Sequence, residues 1–199
     1  MKGGKELESA RVNFEILQNR EDKLGGDVLT TDEFSQIYEM YFNRVYKYIC
    51  YRINNHYEAE DLCSQVFETV ITKYHTFSEE KARFDVWLFA ITRNTVTDYF
   101  RSRKKRFHFS LDSITELILS KPSPEELAIR DDEHQAMFQA MAKLRDKERN
   151  IIAMKFAAGL KNSEIAELMG VSESNIGVVV YRIINKLRKY LEVGRDRDE

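Results

Sequence analysis

A chain of 199 residues has room for one ordinary domain or two small ones, and its formal net charge of -2 excludes nucleic-acid binding by overall attraction alone. Hydrophobic residues make up 43% of it, with 12 Phe and 10 Tyr, which excludes global disorder. Only 8 Gly and 2 Pro are present, too few turn formers for a sheet-rich fold, so long helices are the expectation.

Residues 1–29 read as an arm, charged and interrupted by Gly25-Gly26, with Val12, Phe14, Ile16 and Leu17 able to form a modest helix. The first firm helix starts at Thr30, where Thr30-Thr31-Asp32-Glu33 has the Ser/Thr-x-x-Glu form that satisfies free amides at a helix start. Its apolar stripe is Phe34, Ile37, Tyr38, Tyr41, Phe42, Val45, Tyr48, Ile49 and Ile53, in steps of three and four, until Asn54-Asn55 breaks it. A second helix repeats the pattern through Ala59, Leu62, Cys63, Val66, Phe67, Val70, Ile71 and Tyr74, followed by a polar loop from Thr76 to Arg83. The third, from Phe84, carries Trp87, Leu88, Ile91 and Val96 and ends in the basic run Arg101 to Arg106. Three helices with facing stripes close a small bundle over residues 30–106.

Periodicity fades over 107–122, which read as a linker. Ser123-Pro124-Glu125-Glu126 then marks a sharp helix start, and 123–193 form a second helical domain before a tail at 194–199. Its first helix carries Leu127, Met137, Phe138, Met141 and Leu144; Asp146 is placed to cap the next, with Ile151, Ile152 and Phe156 inward, and Gly159 stops it. The predicted fold is all-α, with two small helical domains joined by a linker.

The most specific pattern is Asn162 to Ile176. Ile165, Ala166 and Leu168 face inward on a short helix, Gly170 supplies a turn, and Ser172 caps a helix packed through Ile176, Val180, Ile183 and Leu187. That is a helix-turn-helix, whose second helix lies in a major groove. Its outer side carries Ser174, Asn175, Gly177, Val178, Tyr181, Arg182, Asn185 and Lys186. Asn reads adenine bidentately, Arg reads guanine or holds phosphate, and valine methyls meet a thymine methyl. A second basic concentration, Arg101 to Arg106, follows Arg93, Asn94, Thr97 and Asp98 on the third helix.

Enzyme signatures are lacking: His56, His75, His108 and His134 have no metal-ligand spacing, and no glycine loop cradles a phosphate. No catalysis, metal or cofactor is expected. Cys50 and Cys63 read as free thiols on neighbouring helix stripes. No apolar run reaches the roughly 20 residues of a membrane span, so a cytoplasmic protein without membrane insertion is expected.

Tyr57-Glu58-Ala59-Glu60-Asp61-Leu62 through Phe67, then Phe84-Asp85-Val86-Trp87-Leu88 through Asp98-Tyr99-Phe100-Arg101, then Leu144 to Leu187 together resemble the extracytoplasmic-function (ECF) group of bacterial RNA polymerase sigma factors. The resemblance implies a protein that binds core RNA polymerase and promoter DNA, and that is held inactive by an anti-sigma factor. It implies polymerase docking through Asp61, Leu62, Ser64, Gln65 and Glu68. The minus-ten element would meet Arg93, Asn94, Thr97, Asp98, Arg101, Arg103 and Lys104, and the minus-thirty-five element Ser174, Asn175, Gly177, Val178, Tyr181, Arg182 and Lys186. Two departures stand out: Ser64-Gln65 where the family has Gln and an acidic residue, and Gly177-Val178 where many members place a basic residue and Ser. Upstream specificity should then lean on Asn175, Tyr181, Arg182 and DNA shape. A stand-alone helix-turn-helix regulator that binds an operator as a dimer is the alternative.

Overall fold

The computed structural model describes residues 29–53, 55–108 and 132–195, and these are helical with no strand. Residues 1–28 of the arm, 109–122 of the linker, the Ser123-Pro124 helix start and the last four residues of the tail lie outside them, whereas Leu29 is buried and residues 107–108, expected in the linker, continue the third helix.

Helix α1 is Thr31–Arg52. Thr30 caps it reciprocally: its Oγ1 accepts from the Glu33 amide at 3.3 Å while the Glu33 carboxylate accepts from the Thr30 amide at 2.8 Å. That backbone hydrogen bond, with a second from the Thr30 hydroxyl, holds the Glu33 carboxyl below its ordinary pKa. Helix α2, His56–Lys73, starts where the Asn55 side chain accepts from the Glu58 amide at 3.2 Å. Helix α3, Phe84–His108, follows a short 3-10 turn and the loop to Arg83.

Val45, Tyr48, Ile49, Ala59, Val66, Val70, Leu88, Phe89 and Val96 are fully enclosed where the three helices meet. Each large side chain there contributes about 1.5–3 kcal/mol of burial. Phe34, Tyr38, Phe42 and Phe67 form a ring cluster between α1 and α2, with Tyr38 and Phe67 centroids 4.7 Å apart. Cys63 is buried in this core, Cys50 is half-buried, and neither is in a disulfide.

The second domain contains α4 (Asp132–Ala142), α5 (Asp146–Ile152), α6 (Asn162–Met169) and α7 (Glu173–Arg195). Asp146, expected to cap α5, is instead its first residue, and the Arg145 amide donates to the Glu148 carboxylate at 3.1 Å. A π turn, Ala153–Ala157, continues α5, with the Ala158 amide reaching back five residues to the Ala153 carbonyl at 2.9 Å. This widened turn corrects one expectation: Phe156 does not follow Ile151 and Ile152 inward but is 57% exposed. Gly159, at φ +70, ends the segment.

Helix α1 serves both domains. Its Arg44, Tyr48 and Arg52, four residues apart, meet the second domain through hydrogen bonds. Arg44 Nε donates to the Ala158 carbonyl at 3.0 Å, Tyr48 Oη to Asn150 Oδ1 at 2.5 Å, and Arg52 Nη1 to the Asp146 carbonyl at 2.5 Å. Arg149 answers from the other side, donating to the Arg52 carbonyl at 3.4 Å and to the Met141, Ala142 and Leu144 carbonyls that end α4.

Burial lifts the Tyr48 phenol to about 12, against the opposing pull of the Arg52 and Arg93 charges. The neutral phenol is therefore favoured in the folded state. Stability from this group is complete below the ordinary value of 10.0 and declines as pH rises from there toward 12. Thermal melting points taken across that range should fall less steeply for Tyr48→Phe than for the parent; equal slopes would place the alkaline loss elsewhere.

Candidate nucleic-acid interface

The α6–α7 hairpin is built as its residues require. Gly170 sits at φ +66, where an L side chain is strained, and the Val171 amide reaches the Ala166 carbonyl at 3.0 Å, closing α6. Ser172 Oγ accepts from the Asn175 amide at 3.3 Å and starts α7. Ile165, Ala166, Ile176, Val180 and Ile183 are buried together. On the outer side of α7, Ser174, Asn175 and Arg182 are exposed, Val178 is 49% and Tyr181 68% exposed, and Gly177 and Asn185 lie between them, half-buried. This is an unobstructed polar and apolar face at the spacing of a groove-reading helix.

A second face runs along α3. Asn94, Thr97, Asp98, Arg101 and Lys104 are exposed and follow one another in steps of one or three. Arg101 pairs with Asp98 at 2.9 Å. Arg93 begins this face but is half-buried, and it donates to the Leu168 carbonyl at the end of α6. Arg83, in the loop before α3, joins Asp85 and Glu164 of α6, each at 3.1 Å. The third face, on α2, carries exposed Asp61, Ser64, Gln65 and Glu68.

Residues 37–106 match the family pattern described as Sigma-70 region 2, and 134–187 match Sigma-70, region 4, together more than half of the chain. The chain is 30% identical over 160 residues to the ECF RNA polymerase sigma factor BldN of Streptomyces coelicolor, covering 80% of itself but 61% of BldN. It is 27% identical over 169 residues to the ECF RNA polymerase sigma factor SigX of Bacillus subtilis, covering 83% of itself and 87% of SigX. The chain belongs to the sigma-70 family, in its ECF group. Its fold is that of the sigma factor RpoE of Bartonella quintana, solved in complex with the anti-sigma factor NepR. The TM-score is 0.67 at 22% identity, over 81% of this chain and 98% of that one. CnrH, solved with the cytosolic domain of CnrY, gives 0.58 at 17% identity, over 82% and 90%. The stand-alone regulator is not favoured.

Three of the residues that the resemblance names for this ECF sigma factor are engaged within the chain. Leu62 is 4% exposed and belongs to the core, because it lies on the inner stripe of α2. Arg103 turns away from the α3 face toward α2, where it pairs with Glu58 at 3.6 Å. Lys186, at the edge of the α7 face, is engaged by Glu148 of α5. Burial pushes the Glu148 carboxyl up, but hydrogen bonds from Lys186 and the Arg145 amide outweigh it and hold the pKa below the ordinary value.

The sequence reading missed Arg44, Arg52, Asn150 and Arg149, which join the domains. The four-residue spacing of Arg44, Tyr48 and Arg52 was a visible signal, but a polar stripe on a helix reads as solvated until its partner is seen. Among the described residues no helix is long and apolar enough to cross a membrane, and no cluster of His, Cys, Asp or Glu is placed to hold a metal ion.

Proposed function

We propose that this sigma factor docks on core RNA polymerase through the exposed carboxylates and amides of α2, contacts the minus-ten element with α3, and reads the minus-thirty-five element with α7. Residues 30–106 act as the docking and melting domain, 107–122 as the linker and 123–193 as the upstream reader. Family members are sigma factors, which are not enzymes, and no side chain here is assigned a catalytic role.

One observation supports a division of labour between protein and polymerase. Arg93 of α3 and Leu168 of α6 are in hydrogen-bond contact, so α3 lies against the helix-turn-helix hairpin that carries α7. By their names the promoter elements are centred about 25 base pairs apart, which is roughly 80 Å along a duplex. The closed arrangement cannot span that distance. Polymerase must separate the domains, and once it does, two weak DNA contacts act together through effective concentration. RpoE and CnrH were each solved with a protein partner, NepR and the cytosolic domain of CnrY. An anti-sigma factor that stabilises the closed form is the corresponding expectation for this chain.

The test is transcription from a genomic promoter library with core polymerase, with and without the purified chain. Promoter-specific starts above core alone are expected, and none would reject the assignment. Within it, Asn175→Ala and Arg182→Ala should each weaken upstream recognition by about 1–3 kcal/mol, the worth of a bidentate base contact. The loss should concentrate at particular base pairs of the minus-thirty-five element in a randomised-sequence selection. A uniform loss across sequences would instead assign these side chains to phosphate.

A further inference from the structure

Beyond Val96 no described side chain of α3 is buried, yet this overhanging end carries Arg101, Lys104 and Lys105. Tyr99 and Phe100 pack half-buried against the core, with the Arg52 guanidinium over the Phe100 ring, but the residues beyond them have no such seat and need a further anchor to aim them. Tyr99 Oη donates to Glu58 Oε2 at 2.5 Å, and Arg103 Nη1 donates to Tyr99 Oη at 2.8 Å. Arg103 also approaches Glu58 Oε2 at 3.6 Å, and its guanidinium carbon stands 6.0 Å above the Tyr99 ring. One phenol thus gives a hydrogen bond to α2 and takes one from α3.

Glu58 is itself fixed, since its amide is held by the Asn55 cap of α2. It opens the stripe that continues through Asp61, Gln65 and Glu68, in steps of three and four, along the proposed polymerase-docking face. Burial and the Glu58 hydrogen bond push the Tyr99 phenol up to about 12, against the Arg103 charge, so it keeps its proton at neutral pH.

We infer that Glu58, Tyr99 and Arg103 are positioning residues that set the direction of the basic end of α3 from the docking helix, so that Arg101 and Lys104 meet the opening DNA strand. This rests on the function proposed above. Arg103 acts here through Tyr99 and Glu58 and does not touch DNA. The substitutions must therefore share a sign: Glu58→Gln, which removes a negative charge near the DNA, slows opening just as Arg103→Met does. A direct DNA contact by Arg103 demands the reverse for Glu58→Gln, because Arg103 would be released to bind phosphate.

The experiment measures open-complex formation on a promoter selected in the library assay, at saturating core polymerase, for the parent, Glu58→Gln, Tyr99→Phe, Arg103→Met and the Tyr99→Phe/Arg103→Met pair. Each single change should slow opening by roughly tenfold, the worth of one charge-assisted hydrogen bond. The pair should cost little more than one of its members, since both break the same link, and Arg103→Lys should recover part of the loss. Circular dichroism and melting of each variant separate misaiming from unfolding, and Tyr99→Phe keeps the ring packed. Faster opening by Glu58→Gln, additive losses in the pair, or variants as fast as the parent would overturn the inference. A parent chain that opens no promoter would instead overturn the sigma-factor assignment on which it rests.

Discussion

Asp61→Arg combined with Glu68→Arg is expected to abolish association with core RNA polymerase while leaving the fold intact. Both side chains are exposed on α2, two turns apart, and pair with no cation among the described residues. The helix beneath them is anchored by the opposite stripe, Leu62, Cys63, Val66 and Phe67, which the substitutions leave alone. A surface that meets these carboxylates with complementary charge would then face two cations. Like-charge juxtaposition at an interface costs several kcal/mol, which corresponds to about a hundredfold or more in affinity. The matching control reverses Asp32 and Glu39 on α1, which are also exposed but lie on another helix. Fluorescence titration with core should show binding for the control and none for the α2 variant, with superimposable circular dichroism. Equal binding by both would remove α2 from the docking surface.

Tyr48→Phe should produce the opposite result, a gain of polymerase affinity from loss of a hydrogen bond. Tyr48 Oη is the donor to Asn150 Oδ1 in a fully enclosed position between the domains. Removing it leaves the amide oxygen without this donor in the closed form, at a cost of about 1–3 kcal/mol. In the open form water replaces the donor and the cost disappears. The closed state therefore loses population relative to the open one by about 5- to 150-fold. Polymerase no longer has to overcome that share of the closure, so its apparent affinity rises by up to the same factor. Glu164→Gln, which weakens the pair with Arg83 at the half-exposed rim, should act in the same direction and more weakly. Small-angle scattering of the free chain should show a larger radius of gyration, with each domain's own melting transition preserved. An unchanged radius together with weaker polymerase binding would sink this account of the closed form.

Much of the architecture was legible because the sequence repeats one signal. Steps of four and seven among Phe34, Tyr38, Val45, Ile49 and Ile53 mark a helix face, and the Thr30 and Ser172 caps mark helix starts without tertiary help. The helix-turn-helix was readable for the same reason, since Gly170, Ala166 and Ile176 each satisfy a local steric demand. What could not be read were the places where a residue's role depends on a neighbour distant in sequence. Arg103 looks like one more cation in a basic run until Glu58 and Tyr99 are found beside it. Lys186 looks like one more residue of the DNA-facing side of α7 until Glu148 is found to hold it. The periodicity places Tyr48 in the core, but its hydroxyl belongs to the junction between domains. Leu62 shows the converse: the resemblance names it for docking, while the periodicity places its side chain inside, where it is buried.

The widened turn at Ala153–Ala157 makes the domain junction a matter of residue count. Each residue of an α-helix advances the chain by about 100° of rotation, so the surplus one carried here sets the azimuth at which the Ala158 carbonyl emerges toward Arg44. Shortening the segment by a single alanine would keep every side-chain type and both helix ends, yet swing that carbonyl off its target. Point substitutions along the segment would leave the phase untouched, and only an insertion or deletion would expose how the two halves of the molecule are held in register.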